Sequence, residues 1–313
     1  HVRGEDQSQW FDRFVAGEIA GNAWSEVGPT AIETQRTVLR PDGAGYRLDG
    51  EKYYTTGTIF AEWADVYARV DRGDGQAEPE FAVALVDTRE SGVTVVDDWD
   101  GFGQRGTGSG TTTFRAVPVP ATHVVPFAER FPYQTALYQL NLLATLSGIS
   151  RAALADTVEA VRGRDRNYSH ANAARVRDDP QVLARVGEIS AATYAAEAVT
   201  LRAATALQAV HDAARQSRDE IAERAEAAEI ETAQAQVVVT DLVLTATAHL
   251  FDTLGASATA RAAALDRHWR NARTVSSHNP RILKARVVGA HAVNGTPPPY
   301  AWAIGRTERS AGH

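Results

Sequence analysis

The chain has 313 residues, 44% of them hydrophobic and 23% charged, with a formal net charge of −7. That is enough for two modest domains with a substantial core, and the dispersed basic residues argue against a nucleic-acid surface, which needs a concentrated basic patch. With no cysteine in the chain, a disulfide framework, a thiolate metal site and a Cys nucleophile are excluded, while no apolar run approaches a membrane span and no signal peptide opens the chain; a cytoplasmic protein with no nucleic-acid or membrane partner is expected.

The sequence starts at His1 and contains no Met. This is expected of a sequence that opens part-way along its protein and has lost modified methionines, so helical spacing can slip by one. Residues 7–16 set Trp10, Phe11, Phe14 and Val15 near one helical face, with Gly17 as a C-cap. Residues 1–17 thus read as the end of an N-terminal helical domain that is mostly absent.

Residues 18–126 read as a β-barrel or sandwich. Turn signals at Pro41-Asp42-Gly43, Asp49-Gly50, Asp74-Gly75 and Ser91-Gly92 separate short β-branched and aromatic runs. Strands are expected at Thr37–Leu39, Tyr46–Leu48, Lys52–Thr56, Asp65–Val70, Phe81–Asp87, Val93–Val96 and Thr111–Ala116. Val117-Pro118-Val119-Pro120 should end the last one, since Pro lacks a ladder donor.

Residues 127–296 read as an antiparallel helix bundle. The first long helix begins around Leu137 and runs to about Arg164. The second runs from Pro180 to Arg215 behind an Asp178-Asp179 cap. The third runs from Asp219 to about Leu254, before Gly255. His268-Trp269-Arg270-Asn271-Ala272-Arg273-Thr274 continues to Ser276-Ser277-His278-Asn279-Pro280, where the Pro should stop regular structure. Residues 297–313, opening on three prolines, form a tail that should fray after Arg306.

Four segments, in this order, resemble the acyl-CoA dehydrogenase superfamily. Gly21-Asn22-Ala23-Trp24-Ser25-Glu26 is similar to its first flavin-contacting strand, and Gly50-Glu51-Lys52-Tyr53-Tyr54-Thr55-Thr56-Gly57 to its Gly-x-Lys-x-Trp-Ile-Thr-Asn segment. Gly103-Gln104-Arg105-Gly106-Thr107-Gly108-Ser109-Gly110 resembles its Gly-x-Arg-Gly-Ser segment, and His268–Pro280 its turn over the flavin. The details resemble the two-component flavin monooxygenase branch, which includes dibenzothiophene monooxygenase. The resemblance implies an α+β fold with a middle β-barrel and a C-terminal bundle, assembled as a homotetramer. It also implies reduced FMN supplied by a separate flavin reductase, with FAD as the alternative, bound between the two domains. The reaction implied is oxygenation of a small aromatic or sulfur- or nitrogen-containing substrate through a flavin C4a-hydroperoxide.

A flavin ring needs a flat apolar wall and a few polar groups at its edge. The resemblance gives Tyr54 the wall and Thr56 a hydroxyl, with Thr55 between them; ordinary strand packing is the other reading. Asn22 and Ser25 would meet the pyrimidine edge or nearby backbone. Trp24 is a further cofactor candidate, although it and Trp99 also read as core. Arg105 could hold an anion in its Gly-rich loop or be a solvated side chain on a turn. Arg164, Arg166, Arg175 and Arg177 are equal alternatives for a phosphate.

His278 is the catalytic candidate, because an oxygenase must manage a proton near neutral pH; otherwise it caps a turn beside Pro280. Ser277 and Asn279 would support it, and His268 reads as structural. A dehydrogenase needs a carboxylate beside the flavin. Neither Ser276–Asn279 nor Phe131–Ser147 has an acid, and the Gly-Gly-x-Gly of FAD-dependent members survives only as Leu254-Gly255-Ala256-Ser257-Ala258. These departures leave acyl-CoA dehydrogenation by FAD as the second reading and a scaffold without cofactor as the third. No metal is expected, since no His pair at helical spacing accompanies a Glu.

Overall fold

The computed structural model describes residues 7–27, 35–73, 79–213 and 218–300. The described chain forms two compact units. One runs to Gly101 and resumes at Arg105–Phe131; the other holds Phe102–Gln104 and the chain from Pro132 onward.

The first unit opens with helix α1 (Gln7–Val15). Eight strands follow: β1 (Ala20–Ala23), β2 (Val38–Asp42), β3 (Gly45–Lys52), β4 (Trp63–Val70), β5 (Glu80–Asp87), β6 (Val93–Val96), β7 (Thr111–Pro120) and β8 (Val124–Pro126). They make one mixed sheet in the order β6-β7-β3-β2-β4-β5-β8, with β1 also on β4. β1 and β2 run parallel to β4, each along a different stretch of it. Side chains alternate across a strand, so Val66, Ala68 and Val70 of β4 share one buried face. They pack with Leu39, Leu48, Phe114 and Val117 into one apolar core.

Three expectations change here. α1 buries only Trp10 of its four apolar residues; Phe11, Phe14 and Val15 are exposed. Trp10 meets Trp63 edge-on at 4.8 Å, and Arg13 lies over Trp63. Asp49-Gly50 is not a turn but an irregularity inside β3, where the register shifts and Asp49 Oδ1 accepts the Ala116 amide at 2.8 Å. Val117–Pro120 does not end β7, which continues opposite Gly45–Leu48. Its prolines alternate with buried Val117 and Val119, and β6 covers only Thr111–Phe114. The missing Pro donors therefore fall on an uncovered side, where no ladder bond is lost. The Asp74-Gly75 turn lies outside the described residues.

The second unit is built from α2 (Gln134–Arg162), α3 (Pro180–Ala213), α4 (Arg218–His249), α5 (Asp266–Ser277) and α6 (Arg281–Asn294). Small residues let α2 and α3 approach closely. Their buried hydroxyls pair across the seam, Ser147 with Thr200 at 2.9 Å and Ser150 with Thr193 at 2.7 Å, which satisfies groups that would otherwise be costly to bury. Asp179 caps α3 by accepting the Gln181 amide at 2.9 Å, directly before Pro180. α4 ends at His249, and a 3₁₀ turn, Leu250–Thr253, leads to Gly255. Pro280 does not stop regular structure: it stands directly before α6, where a missing N–H costs nothing. The expected end of the second helix at Arg215 and the tail after Arg306 lie outside the described residues.

Candidate active site

In the sheet unit three of the motif segments converge through hydrogen bonds. The Asn22 amide donates to the Thr56 carbonyl at 2.9 Å, and the Thr58 hydroxyl donates to the Asn22 carbonyl at 3.3 Å. Gly21 lies so close to Thr58 that a Cβ there would overlap its backbone. The Tyr53 amide donates to the Ser25 carbonyl at 2.8 Å. The Gly-rich loop joins from the other side. The Thr55 hydroxyl donates to the Gly110 carbonyl at 2.8 Å, the Thr56 and Ser109 hydroxyls pair at 2.8 Å, and Ser109 pairs with Thr107 at 2.7 Å.

The Lys52–Thr56 strand expected from sequence does not form. β3 ends at Lys52, and Tyr54 has φ 57, a left-handed conformation that costs a bulky residue about 1–3 kcal/mol. The ladder stops here, although burial still alternates over the three candidates. Tyr54 is half exposed, with its ring edge-on to Trp99 at 5.9 Å. Thr55 is fully buried, its hydroxyl spent on Gly110 and Thr112. Thr56 is exposed with its hydroxyl beside Ser109. The surface thus presents a tyrosine ring next to a file of hydroxyls, a flat wall with polar groups at its edge. Ser109 was missing from the sequence candidates, although it lay inside a motif that was recognised.

Beneath this surface is a buried ion pair. Lys52, with no exposed surface, donates to Glu26 and Gln35 at 2.8 Å each. Glu26 also accepts the Arg36 and Thr37 amides at 2.9 Å. Burial pulls the Glu26 carboxyl upward, but the Lys52 charge and these donors outweigh it and hold its pKa below the usual value. Burial lowers Lys52 to about 8 despite Glu26. Trp24 is engaged in the same layer. Its indole donates to Asp65 at 3.1 Å, stacks on Tyr67 at 5.3 Å and lies under Arg130.

In the helical unit α5 carries the fourth segment. His268 is buried and bonds Asp156 of α2 at 2.7 Å, and Arg267 bonds the same carboxylate. These bonds tie α5 to α2. Residues 270, 271, 274 and 278 follow one face at helical spacing. Along it, Arg270 donates to the Phe102 carbonyl at 2.7 Å, and Asn271 accepts the Gln104 amide at 2.7 Å. Trp269 stacks on Phe102 at 6.1 Å. Gly103 has no room for a side chain, because a Cβ would overlap the Arg270 carbonyl. His278 follows the last turn of α5 and is exposed. Its pKa is nonetheless pulled down, by desolvation among neighbouring atoms and no charged partner. Exposure is the better guide to access, and it leaves the ring free to meet a ligand.

The arginine alternatives are now distinguishable. Arg175 is held by Asp178 at 2.6 Å. Arg164 bonds the Arg166 carbonyl and lies over Tyr168. Arg164 and Tyr168 stand close to Gly255, where an added Cβ would run into the Tyr168 hydroxyl. Arg105, Arg166 and Arg177 are exposed, and among the described residues the Arg105 guanidinium has no partner. Among the described residues no cluster of three metal-ligating side chains occurs.

The model of the acyl-CoA dehydrogenase middle domain matches residues 25–117, and that of the acyl-CoA dehydrogenase C-terminal domain matches residues 142–280. Dibenzothiophene monooxygenase from Rhodococcus qingshengii is 30% identical over 288 residues, covering 89% of this chain and 68% of the relative. The chain belongs to the acyl-CoA dehydrogenase superfamily. Within this superfamily it stands with the dibenzothiophene monooxygenase-like flavin monooxygenases. A probable FMNH2-dependent monooxygenase from Pseudomonas putida, SfnC, is 28% identical and covers 95% of this chain and 73% of its own. The crystal structure of FMN-bound TdsC from Paenibacillus sp. A11-2 superposes with a TM-score of 0.86 at 28% identity, covering 96% of this chain and 77% of that one. The superfamily's α+β architecture, a sheet domain followed by a helical C-terminal domain, is the one described above.

Proposed function

We propose that the chain is a flavin-dependent monooxygenase that receives reduced FMN from a separate reductase. It oxygenates a small aromatic or sulfur- or nitrogen-containing substrate through a flavin C4a-hydroperoxide, leaving one oxygen atom in the product and the other in water. The observation that carries this is the convergence of Asn22, Ser25, Tyr54, Thr56 and Ser109 in one hydrogen-bonded surface. It supplies what an isoalloxazine needs, an exposed aromatic wall bordered by hydroxyls and peptide groups. Arg105, whose guanidinium has no partner among the described residues, would meet the phosphate, for which a guanidinium is suited. Bound FMN would supply the activation of oxygen. The chain would orient the ring, exclude water and control one proton. His278 would hold or release that proton, its lowered pKa keeping the imidazole neutral near pH 7. FMN-bound TdsC and the degenerate Gly255 segment, taken up by Tyr168 and Arg164, support FMN over FAD. Among the described residues no helix is long and apolar enough to cross a membrane; with the lack of cysteine this supports a cytoplasmic place. Exposed Tyr194 and Leu201, one heptad apart on α3, support burial of that face in a homotetramer.

The test is anaerobic mixing of the protein with reduced FMN, followed by oxygen in a stopped-flow spectrometer. A peroxyflavin absorbance that outlives free reduced flavin is expected. His278→Ala should shorten its lifetime and release peroxide. Immediate reoxidation in the wild type, or an unchanged lifetime and product yield in His278→Ala, would remove respectively the oxygenase reading or the role of His278.

A further inference from the structure

Lys52 ends β3 with no exposed surface, so it cannot meet a ligand directly. A buried ammonium is costly unless each of its three N–H groups has an acceptor. All three do. The Lys52 ammonium donates to the Trp24 carbonyl at 3.3 Å, to Glu26 at 2.8 Å and to Gln35 at 2.8 Å. Glu26 is equally occupied: one carboxylate oxygen accepts Lys52 and the Thr37 amide, and the other accepts the Arg36 amide.

These bonds fasten the segment that carries the flavin candidates. β1 leaves its ladder with β4 at Ala23. Beyond that point the Trp24 carbonyl accepts Lys52, the Ser25 carbonyl accepts the Tyr53 amide at 2.8 Å, and the Glu26 carboxylate accepts Lys52 again. Three consecutive residues are thus tied to Lys52 or to its neighbour, and Tyr54, the aromatic wall, follows at once. The tie depends on charge. A neutral amine has two donors and a lone pair, so it would release one of the three acceptors and turn the lone pair toward an oxygen. Of the charged groups among the described residues, Glu26 faces Lys52 directly and stays ionised, its pKa lowered. The Arg36 guanidinium stands 3.9 Å from the other Glu26 oxygen. From β4, Lys52 meets the ring of Tyr67 at 5.9 Å, whose hydroxyl burial pushes up to about 12 and so keeps neutral. From β7 it meets Thr112, which carries no charge. Glu51 and Tyr53 point to the opposite face of the strand, where the Tyr53 hydroxyl donates to Glu51. Asp65 and Arg130 lie beyond the Trp24 ring.

We propose that Lys52 is a positioning residue of the flavin surface: its ammonium holds Trp24–Glu26 against Tyr53, and FMN binds tightly only while that charge is present. This rests on the flavin reading given above. When Lys52 gives its proton to solvent, one of its three acceptors is released. The bridge between Ser25 and Tyr53 then loosens, and with it the polar border of the Tyr54 wall. Lys52 acts through these residues and touches no ligand itself.

Fluorescence titrations with FMN from pH 7 to 9 test this. Burial lowers Lys52 to about 8 while the Glu26 charge holds it up, so wild-type affinity should fall about tenfold across that range. Lys52→Met should bind weakly throughout and show no such fall. Glu26→Gln should move the fall to lower pH, because the ammonium loses the charge that supports it, and it reports even if Lys52→Met does not fold. A merely structural lysine predicts neither effect. With a folded pKa of about 8 against 10.5 unfolded, its contribution to stability grows as pH rises between those values, the opposite direction to the loss of FMN. Level wild-type affinity from pH 7 to 9, or the same midpoint in Glu26→Gln, overturns the proposal. Hydrogen exchange of the Tyr53 amide in flavin-free protein separates this from a failure of the flavin reading. Protection lost above pH 8 with no FMN uptake at any pH would sink the flavin reading and keep the Lys52 tie. Level FMN uptake with Tyr53 protected throughout would sink the tie alone.

Discussion

Thr55 and Thr56 are adjacent, carry the same side chain and meet different surroundings. Thr55→Val would strip two hydrogen bonds from a fully buried site and leave the Thr112 hydroxyl one partner short. A loss of about 1–2 kcal/mol in urea unfolding is expected. Thr56→Val removes an exposed hydroxyl and should change stability by less than about 0.5 kcal/mol, yet weaken FMN in a fluorescence titration. Equal FMN affinity in Thr56→Val and wild type would take Thr56 out of the site. The contrast was legible in the sequence, because a β-branched run of this kind reads as strand and sets adjacent threonines on opposite faces. The end of the ladder was not: the left-handed Tyr54 that replaces it has no marker, since positive φ is signalled by Gly or Asn and not by Tyr. Asn22, Ser25 and the Gly103–Gly110 loop were found by resemblance, but their joining through Ser109 depends on contacts more than 50 residues apart in sequence.

At the scale of elements, α5 was legible as chemistry and not as packing. Its Arg and His residues stood out, but nothing in one sequence says that Asn271 accepts an amide 167 residues away. The glycine of Phe102-Gly103-Gln104 read as a loop signal; in the fold it is the space that α5 needs. Asn271→Leu should cost about 1–2 kcal/mol, because the Gln104 amide loses its acceptor, whereas Asn271→Asp keeps an acceptor and should cost less. Gly103→Ala forces a Cβ against the Arg270 carbonyl and should cost more than either, about 2–4 kcal/mol. Hydrogen exchange of residues 266–277 is the direct readout. If the amides of α5 exchange alike in wild type and Gly103→Ala, the tripeptide does not hold the helix. The long helices were easier to read, since their caps are local: Asp179-Pro180 marks a start by itself. Pro280 misled because Pro ends one helix and begins another with equal ease.

Across the whole molecule, each compact unit buries one Lys–Glu pair, and the two differ in what surrounds the acid. Glu26 collects Lys52 and two backbone amides, enough to overcome burial and keep its pKa below the usual 4.5. Glu229 has one amide besides the Lys284 charge, and burial wins. The consequences for stability have opposite signs. A carboxylate with a depressed folded pKa stabilises above its unfolded value, and that contribution is lost as pH falls through the folded value. Glu26 should therefore stabilise the sheet unit above pH 4.5, a contribution lost as pH falls through its lowered folded value. For Glu229 the folded state keeps its proton up to about 7 while the unfolded state releases it near 4.5. Between those values the unfolded state is favoured progressively, so the stability of wild type relative to Glu229→Gln should fall as pH rises from 4.5 to 7, by up to about 3 kcal/mol. Lys284 acts further up: its folded pKa near 8 against 10.5 unfolded makes stability recover between those values. Urea unfolding of wild type and Glu229→Gln at pH 5, 6 and 7 reads the acid together with the Lys284 ammonium, whose pKa the Glu229 charge raises. A difference that stays flat across that range would mean that Glu229 ionises in the fold as it does in water, and that the bundle interior is wetter than the burial of Glu229 implies.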